Sequence, residues 1–344
     1  GRVVRYDRVE RLPDRCREGT FFDGDPVETF AIVVEAMENH YAGDLDPDWE
    51  RRSDALAASL TADASPEETF NALTDLLDPL DDPQVRIAVD DDRDGVADIV
   101  WRSFEATGTD RLLAAIRAGE RLASVAGTRG DGALVAGLVT ADVGYLAVTT
   151  LEPFTDGIVE TGEDIAGIVD GLVESSTPDT KLVIDLRVNP GGVEGLGMVI
   201  ASRFVQEETT VASRSVRVEG TDDYVEAGTI VIRPTPTGTF PGPFVVLIGP
   251  GTSGAAEILA LALRTVPGAV FVGERTAGSP SPILARALPT DWALGLPNLR
   301  TADAAGIGYD GIGIPPDEFV VTTTADLDAG RDPALDRAVA ILSE

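Results

Sequence analysis

The sequence predicts an α/β fold, a largely parallel sheet in the carboxy-terminal part preceded by a small helical domain. Two observations predict it. First, apolar runs of strand length, KLVIDLRV (181–188), PFVVLIGP (243–250) and AVFVGE (269–274), alternate with the helix-like segments 156–175, 191–205 and 257–266. Strands that alternate with helices mean crossover connections and parallel pairing. Second, the segment from Pro26 to Leu77 repeats apolar residues at helical rather than strand spacing.

In chain order, residues 1–25 are polar and Arg-rich and read as an arm. Residues 26–80 form the helical unit. Its first helix carries Phe30, Val33, Val34, Met37 and Tyr41, its second spans Trp49–Leu60, and its third carries Phe70, Leu73, Leu76 and Leu77. Ser65-Pro66-Glu67-Glu68 opens the third helix with a capping serine, a proline at the first helical position and acids in the first turn. Residues 81–140 are linking strands with one helix near Thr109–Ala118. Residues 141–344 are the α/β unit: a strand at VGYLAVTT, two strands of hairpin character at 209–218 and 228–235, the runs above, and a last helix in DPALDRAVAILSE.

Composition narrows function by exclusion. The 344 residues carry 59 Asp+Glu against 27 Lys+Arg, a net charge of -32. Such a surface repels nucleic acid and anionic membrane, so neither is expected as a partner. Adaptation to salt, or a coding bias that prefers Arg to Lys, accounts for the charge without reference to function. Cys16 is the only cysteine and His40 the only histidine, which excludes an intramolecular disulfide and leaves no Cys/His metal centre. No cofactor is expected. DDDRDGVAD (90–98) has acids at alternate positions before Gly95 but lacks a closing Glu, so an acidic turn is preferred to a calcium loop. No apolar run reaches the ~18 residues of a membrane span. The opening GRVVRYDRVERL is not a signal peptide.

The stretch GPGTSGAAE (249–257) sits between a strand and a helix, where many hydrolases place a nucleophile. It offers Thr252 and Ser253. A serine needs a base to take its proton, and His40 is the only imidazole present. His40 in EAMENHYAGDL reads as a helix carboxy-terminal residue, and Ser253 and Thr252 read as helix caps. Asp185 and Arg187 read as a structural ion pair.

Four segments in order resemble the tail-specific, or C-terminal processing, serine peptidases: KLVIDLRVNPGG (181–192), PFVVLIGPGTSGAAEILALALR (243–264), FVGERTAG (271–278) and GYDGIGIPPD (308–317). The helical start, with Tyr41…Asp48-Trp49, and the lack of an inserted PDZ domain resemble the branch of the tricorn core and the interphotoreceptor retinoid-binding protein modules. The resemblance implies a ClpP/crotonase-like α/β core. It puts the nucleophile three residues before Glu257, where this chain has Gly254. The Ser-Lys branch takes its base from the position of Ser279. The tricorn-like branch takes it from a His where this chain has Gln84, in Leu80-Asp81-Asp82-Pro83-Gln84. Asp310 matches the acid that orients the base. Gly191, Gly192 and Ala255 match the backbone donors of the oxyanion hole, although NPGG also reads simply as a strand-to-helix turn.

The expectation is therefore a catalytically degenerate peptidase homologue that binds a peptide, a protein C-terminal tail or an apolar small molecule. The alternatives are an active serine endopeptidase using Ser253 or an unrecognised base, or a glycine introduced at 254 to inactivate the protein. The second loss, at Gln84, favours natural decay. Relatives of this kind are often exported, which implies an extracytoplasmic location. Self-repulsion of the acidic surface is screened by salt, so the thermal midpoint should rise between low-salt buffer and molar KCl in a melting series; a fall would contradict this.

Overall fold

A computed structural model describes residues 24–82, 84–89, 98–102, 109–218, 221, 223–290 and 292–344. The expected arm lies outside the described residues up to residue 23, and so does the acidic turn at 90–97.

Three helices open the chain: α1 (Pro26–His40), α2 (Trp49–Ser59) and α3 (Pro66–Leu77). Asp25 caps α1, its carboxylate accepting from the amides of Val27 and Glu28. Ser65 and Glu68 form a reciprocal capping box at α3, as the local sequence predicts. Then follow β1 (Arg86–Val89), β2 (Asp98–Arg102), α4 (Thr109–Ala118), β3 (Ser124–Arg129), β4 (Leu134–Leu138) and β5 (Val143–Val148). The α/β part continues with α5 (Ile158–Ser175), β6 (Lys181–Asp185), α6 (Glu194–Ala201), β7 (Thr209–Arg217), β8 (Tyr224–Ile232), β9 (Phe244–Ile248), α7 (Ala255–Arg264) and β10 (Val270–Gly273). It closes with β11 (Ile283–Ala287), β12 (Trp292–Pro297), β13 (Leu299–Asp303), β14 (Glu318–Phe319), α8 (Thr324–Asp328) and α9 (Pro333–Ile341).

The main sheet has the order β14-β10-β9-β6-β5-β4-β3. From β5 to β14 every pairing is parallel. Strands β3 and β4 extend it by antiparallel pairing, so the sheet is mixed. Alternate residues of one strand enter different cores, because side chains alternate across a pleated strand. Leu182, Ile184, Val246 and Ile248 pack with α5, α6 and α7. Val183, Val245 and Leu247 pack with α4 and α9. Burial on both faces explains why these strands read as unbroken apolar runs.

Two other sheets complete the fold. The hairpin of β7 and β8 is antiparallel, as expected, and gains β13 as a third strand. The hairpin of β11 and β12 leaves the α/β unit and joins β1 and β2 in the order β11-β12-β1-β2. The helical unit rests on it: Phe30, Met37, Leu73 and Leu76 share a core with Ile87, Leu294 and Leu296. Periodicity showed strands at β7 and β8 and in the linking segment, missed β11, β12 and β13, and could not show which distant strands would pair.

A buried ion network ties the last helix to the main sheet. Arg187, just past β6, is 4% exposed. Its Nη2 lies 2.6 Å from Asp185 Oδ2 and 2.8 Å from Asp332 Oδ2, and its Nη1 lies 2.8 Å from Asp332 Oδ1. Tyr145 donates to Asp185 at 2.8 Å. Asp332 also caps α9 through the Leu335 amide. The pair read as structural is thus a triad. Asp332→Ala would leave the guanidinium half-paired and α9 uncapped. Removing one partner of a buried ion group costs about 3–5 kcal/mol. A loss of that size is expected in urea titration, and a loss under about 1 kcal/mol would show that the triad behaves like an exposed pair.

Candidate functional site

Strand β9 turns into α7 through Gly249–Gly254, and Gly254 is the helix N-cap, with φ 56 and ψ −123. Only glycine enters this backbone region freely. The close approach is not crowded: a Cβ at Gly254 would meet nothing nearer than the Pro190 carbonyl at 3.7 Å. The two hydroxyls of the turn do not cap α7, which corrects the expectation for them. Thr252 Oγ1 donates to the Leu186 carbonyl at 2.8 Å and accepts from the Gly249 amide. Ser253 Oγ donates to the Pro190 carbonyl at 2.9 Å. Both lie before the cap and reach the strand end at 186–190 instead of the helix amides.

Glu257 organises what surrounds the turn. It is fully buried. Its Oε1 accepts from Thr276 Oγ1 at 2.6 Å and the Gly278 amide at 2.9 Å. Its Oε2 accepts from the Gly254 amide at 3.1 Å, and from the Ser279 amide and hydroxyl at 2.7 and 3.1 Å. Burial pushes its carboxyl up to about 7, against these bonds, which favour the charged form. A carboxylate titrating there suits general-base work, but both its oxygens are already committed to the protein.

The positions of both family bases converge on Gly254. Ser279 Oγ lies 3.4 Å from the Gly254 amide. Gln84, 4% exposed, donates from Nε2 to the Ser279 carbonyl at 2.6 Å and to the Ser281 carbonyl. Its own amide donates to Asp82 Oδ1 at 2.8 Å, and Tyr41 donates to Asp82 Oδ2 at 2.8 Å. Asp310 is one step further out. Its Oδ2 accepts from the Thr301 amide at 3.1 Å, its buried Oδ1 has no hydrogen-bond partner among the described residues, and the Ser281 hydroxyl pairs instead with Thr301 Oγ1 at 2.9 Å. Burial pushes the Asp310 carboxyl up to about 6. The sequence places Tyr41 in a helical spacing and in the Tyr41…Asp48-Trp49 pattern, and Asp82 in the turn before Gln84, but does not show the bond between them. His40 ends α1, as read, and forms no hydrogen bond with Ser253 among the described residues.

The NPGG turn stands opposite. Buried Asn189 donates from Nδ2 to the Val148 carbonyl and accepts from the Gly191 amide, both at 2.9 Å. The Ser253 amide donates to the Asn189 carbonyl at 2.9 Å. Gly192 has φ 127, and a Cβ there would fall 2.3 Å from the Leu151 carbonyl carbon. Of the three expected donors, Gly191 is therefore used internally. The amides of Gly192 and Ala255 carry no hydrogen bond among the described residues.

Comparison with known proteins fits this geometry. The profile of peptidase family S41 matches residues 142–320, just over half of the chain. The carboxy-terminal-processing protease of Bartonella bacilliformis is 28% identical over 201 residues, covering 57% of this chain and 43% of that protein. The chain thus spans less than half the length of the relatives it matches. A crystal structure from Parabacteroides merdae superposes with a TM-score of 0.75 at 19% identity, covering 93% of this chain and 97% of that one. The tricorn protease gives 0.56 at 13% identity, covering 93% of this chain and 36% of that one. At such identities the likeness shows the fold, the crotonase-like α/β core expected from the motifs.

The raised carboxyls set a pH dependence, Glu257 and Asp310 most clearly, with Asp82 and Glu274 also pushed up by burial. Burial pushes Glu257 up to about 7 from its ordinary 4.5, and Asp310 up to about 6 from 3.8. Between those values the folded state holds more protons than the unfolded one, so stability is greatest at the acid end and falls as pH rises. The slope reaches about 1.4 kcal/mol per pH unit for each group. Melting in 1 M KCl should show the midpoint falling from pH 4.5 to 7.5. Glu257→Gln should melt lower throughout and with a flatter slope; an unchanged slope would remove Glu257 from the account.

Proposed function

The chain belongs to peptidase family S41, and from that membership we propose that its own proteolytic chemistry has lapsed while its cleft still binds peptides or protein C-terminal tails. One observation carries the reading. The turn into α7 has the tight left-handed shape that presents a nucleophile at a strand-to-helix junction, and it holds glycine at 254. No side chain is there to attack.

The neighbouring groups do not replace it. Gln84 has no proton-accepting nitrogen, and its amide protons are engaged by the carbonyls of Ser279 and Ser281. The hydroxyl of Ser253 is committed to the Pro190 carbonyl. Glu257 is saturated with donors, and Ser279 points its hydroxyl at that carboxylate. What persists is a pair of amides without hydrogen bonds among the described residues: Ala255, next to position 254, and Gly192, next to the Gly191 that abuts it. Such donors hold a peptide carbonyl or a terminal carboxylate without requiring a nucleophile.

A second reading rests on a separate hollow of about 950 Å³, whose lining includes Ala136, Leu146, Ile168 and Leu172. Its apolar floor suits an apolar small molecule, which a fluorescent fatty-acid analogue would detect by saturable binding. An extracytoplasmic location is proposed with the tail-binding reading. Among the described residues no helix is long and apolar enough to cross a membrane. Fractionation of the source cells decides the compartment.

The central test compares the unaltered chain with the Gly254→Ser/Gln84→His double substitution on a library of free-carboxylate decapeptides. The unaltered chain should bind members of the library, read by calorimetry, and leave them intact. The double substitution should cleave them slowly. It should also be less stable by about 1–3 kcal/mol, since serine must take the left-handed backbone at 254 and histidine keeps only one of the two Gln84 bonds. Cleavage by the unaltered chain that disappears in Ser253→Ala would overturn the reading.

A further inference from the structure

Resting on the tail-binding reading above, we propose that the bound tail adds as an extended strand to the free edge of β11, which leads away from the cleft. The edge begins where the site ends. Ser279 contacts Gly254, Ser281 accepts from Gln84, and Ile283 opens β11 two residues later. Four residues of extended chain span at most ~13–14 Å, so a peptide held at position 254 reaches this edge within its next few residues.

The ladder shows which groups are available. Among the described residues, β11 pairs with β12 alone and is a terminal strand of its sheet. Beyond β11, the Leu288 amide donates to the Trp292 carbonyl at 2.9 Å. Bonded pairs in an antiparallel ladder recur at every second residue. With the observed register, Arg286–Leu294 and Leu284–Leu296 are then the bonded pairs, and Ile283–Pro297, Ala285–Gly295 and Ala287–Ala293 are the unbonded ones. The unbonded position of Pro297 agrees, since proline has no N–H to give. The amides and carbonyls of Ile283, Ala285 and Ala287 therefore point away from β12.

Among the described residues, side chains leave that edge open. Leu284 packs toward the helical core and Arg286 is drawn to Glu35 at 3.7 Å. Ala285 and Ala287 are exposed and small. The usual shields of an edge strand, a proline, a bulge or a protruding lysine, are missing along Ile283–Ala287. Elsewhere they are present: β3 is bulged between Val125 and Gly127, and β13 is bridged by Gly308. An extended segment on β11 would gain main-chain hydrogen bonds largely independent of its sequence. That is the recognition a binder of varied tails requires.

The experiment measures binding of the free-carboxylate decapeptide library by fluorescence anisotropy, with amide exchange on residues 283–287. Ala285→Pro removes an outward N–H that takes no part in pairing with β12. It should fold with a melting point close to the native one and bind the library at least tenfold more weakly. The unaltered protein should show slowed exchange at Ile283, Ala285 and Ala287 on binding. It should also lose affinity for a library N-methylated at alternate amides, a result that does not depend on the variant folding. If the native chain binds tails but neither the variant, the N-methylation nor the exchange responds, the edge inference is overturned and the cleft reading stands. If the native chain binds no library member, the cleft reading falls and takes the edge with it.

Discussion

The buried carboxylate of Glu257 is the constraint on which the site depends. A charge withdrawn from water must be repaid in hydrogen bonds or neutralised, and Glu257 takes its bonds from two separate pieces of chain, Gly254 and the loop 276–279. That loop in turn holds the segment carrying Asp310. The Thr276 amide donates to the Ile314 carbonyl, the Ile314 amide to Thr276 Oγ1, and the Gly311 amide to the Gly278 carbonyl. Through the Ser279 carbonyl the same web reaches Gln84 at the foot of the helical unit. Four stretches far apart in sequence are thus fixed around one carboxylate, and none of these contacts requires a reactive side chain. The scaffold around Gly254 is thus held by polar groups alone, whatever chemistry it carries.

The second buried charge group complements the first. Arg187 lies just past β6 and is clamped by Asp185 and Asp332, while the chain following it forms the NPGG turn. Asn189 then fixes that turn to β5 and to Ser253. The sheet ends at β6 and β9 are therefore held by polar groups that are fully engaged. This rigidity holds Gly191 against Gly254 and Ala255, while the Gly192 and Ala255 amides carry no hydrogen bond among the described residues. Preorganised donors are the part of such a site that binding and catalysis share, and the proposed tail-binding reading rests on them.

The legible part of the molecule was what local physics decides. The capping box at Ser65, the unbroken apolar runs of β6 and β9 and the helical spacing of Phe30, Val33 and Met37 all reappear in the fold. The fold also links Gly254, Ser279 and Gln84, which the sequence names separately as the positions that two family branches assign to nucleophile and base. Partnership between distant strands stayed hidden. Nothing in ILARA (283–287) tells it to join β12 and, through it, β1 instead of the main sheet, and nothing around Leu134 signals that β3 and β4 extend that sheet. The polar network was hidden for the same reason. Tyr41 and Asp82 lie far apart in sequence, and their bond exists only once α1 packs over the turn before β1. Ser253 and Thr252 looked like caps from composition alone, since hydroxyls before a helix usually are; the nearby strand end offered them carbonyls instead.

Position 254 shows how the lapsed reading follows from backbone energetics as well as from missing chemistry. A serine at φ 56 and ψ −123 stores strain on the order of 1–3 kcal/mol, and that strain is useful only while it aims a hydroxyl at a substrate. Gln84 removes the proton acceptor and, by donating to both the Ser279 and Ser281 carbonyls, satisfies two backbone groups that an imidazole could not satisfy together. On the proposed reading each replacement therefore relieves a cost once catalysis has ceased: glycine the strain, glutamine an unpaired carbonyl. On the same reading, Gly254 and Gln84 both join the web around Glu257, one through its amide to the carboxylate and the other through the Ser279 carbonyl, so neither replacement leaves a polar group of that web unpaired.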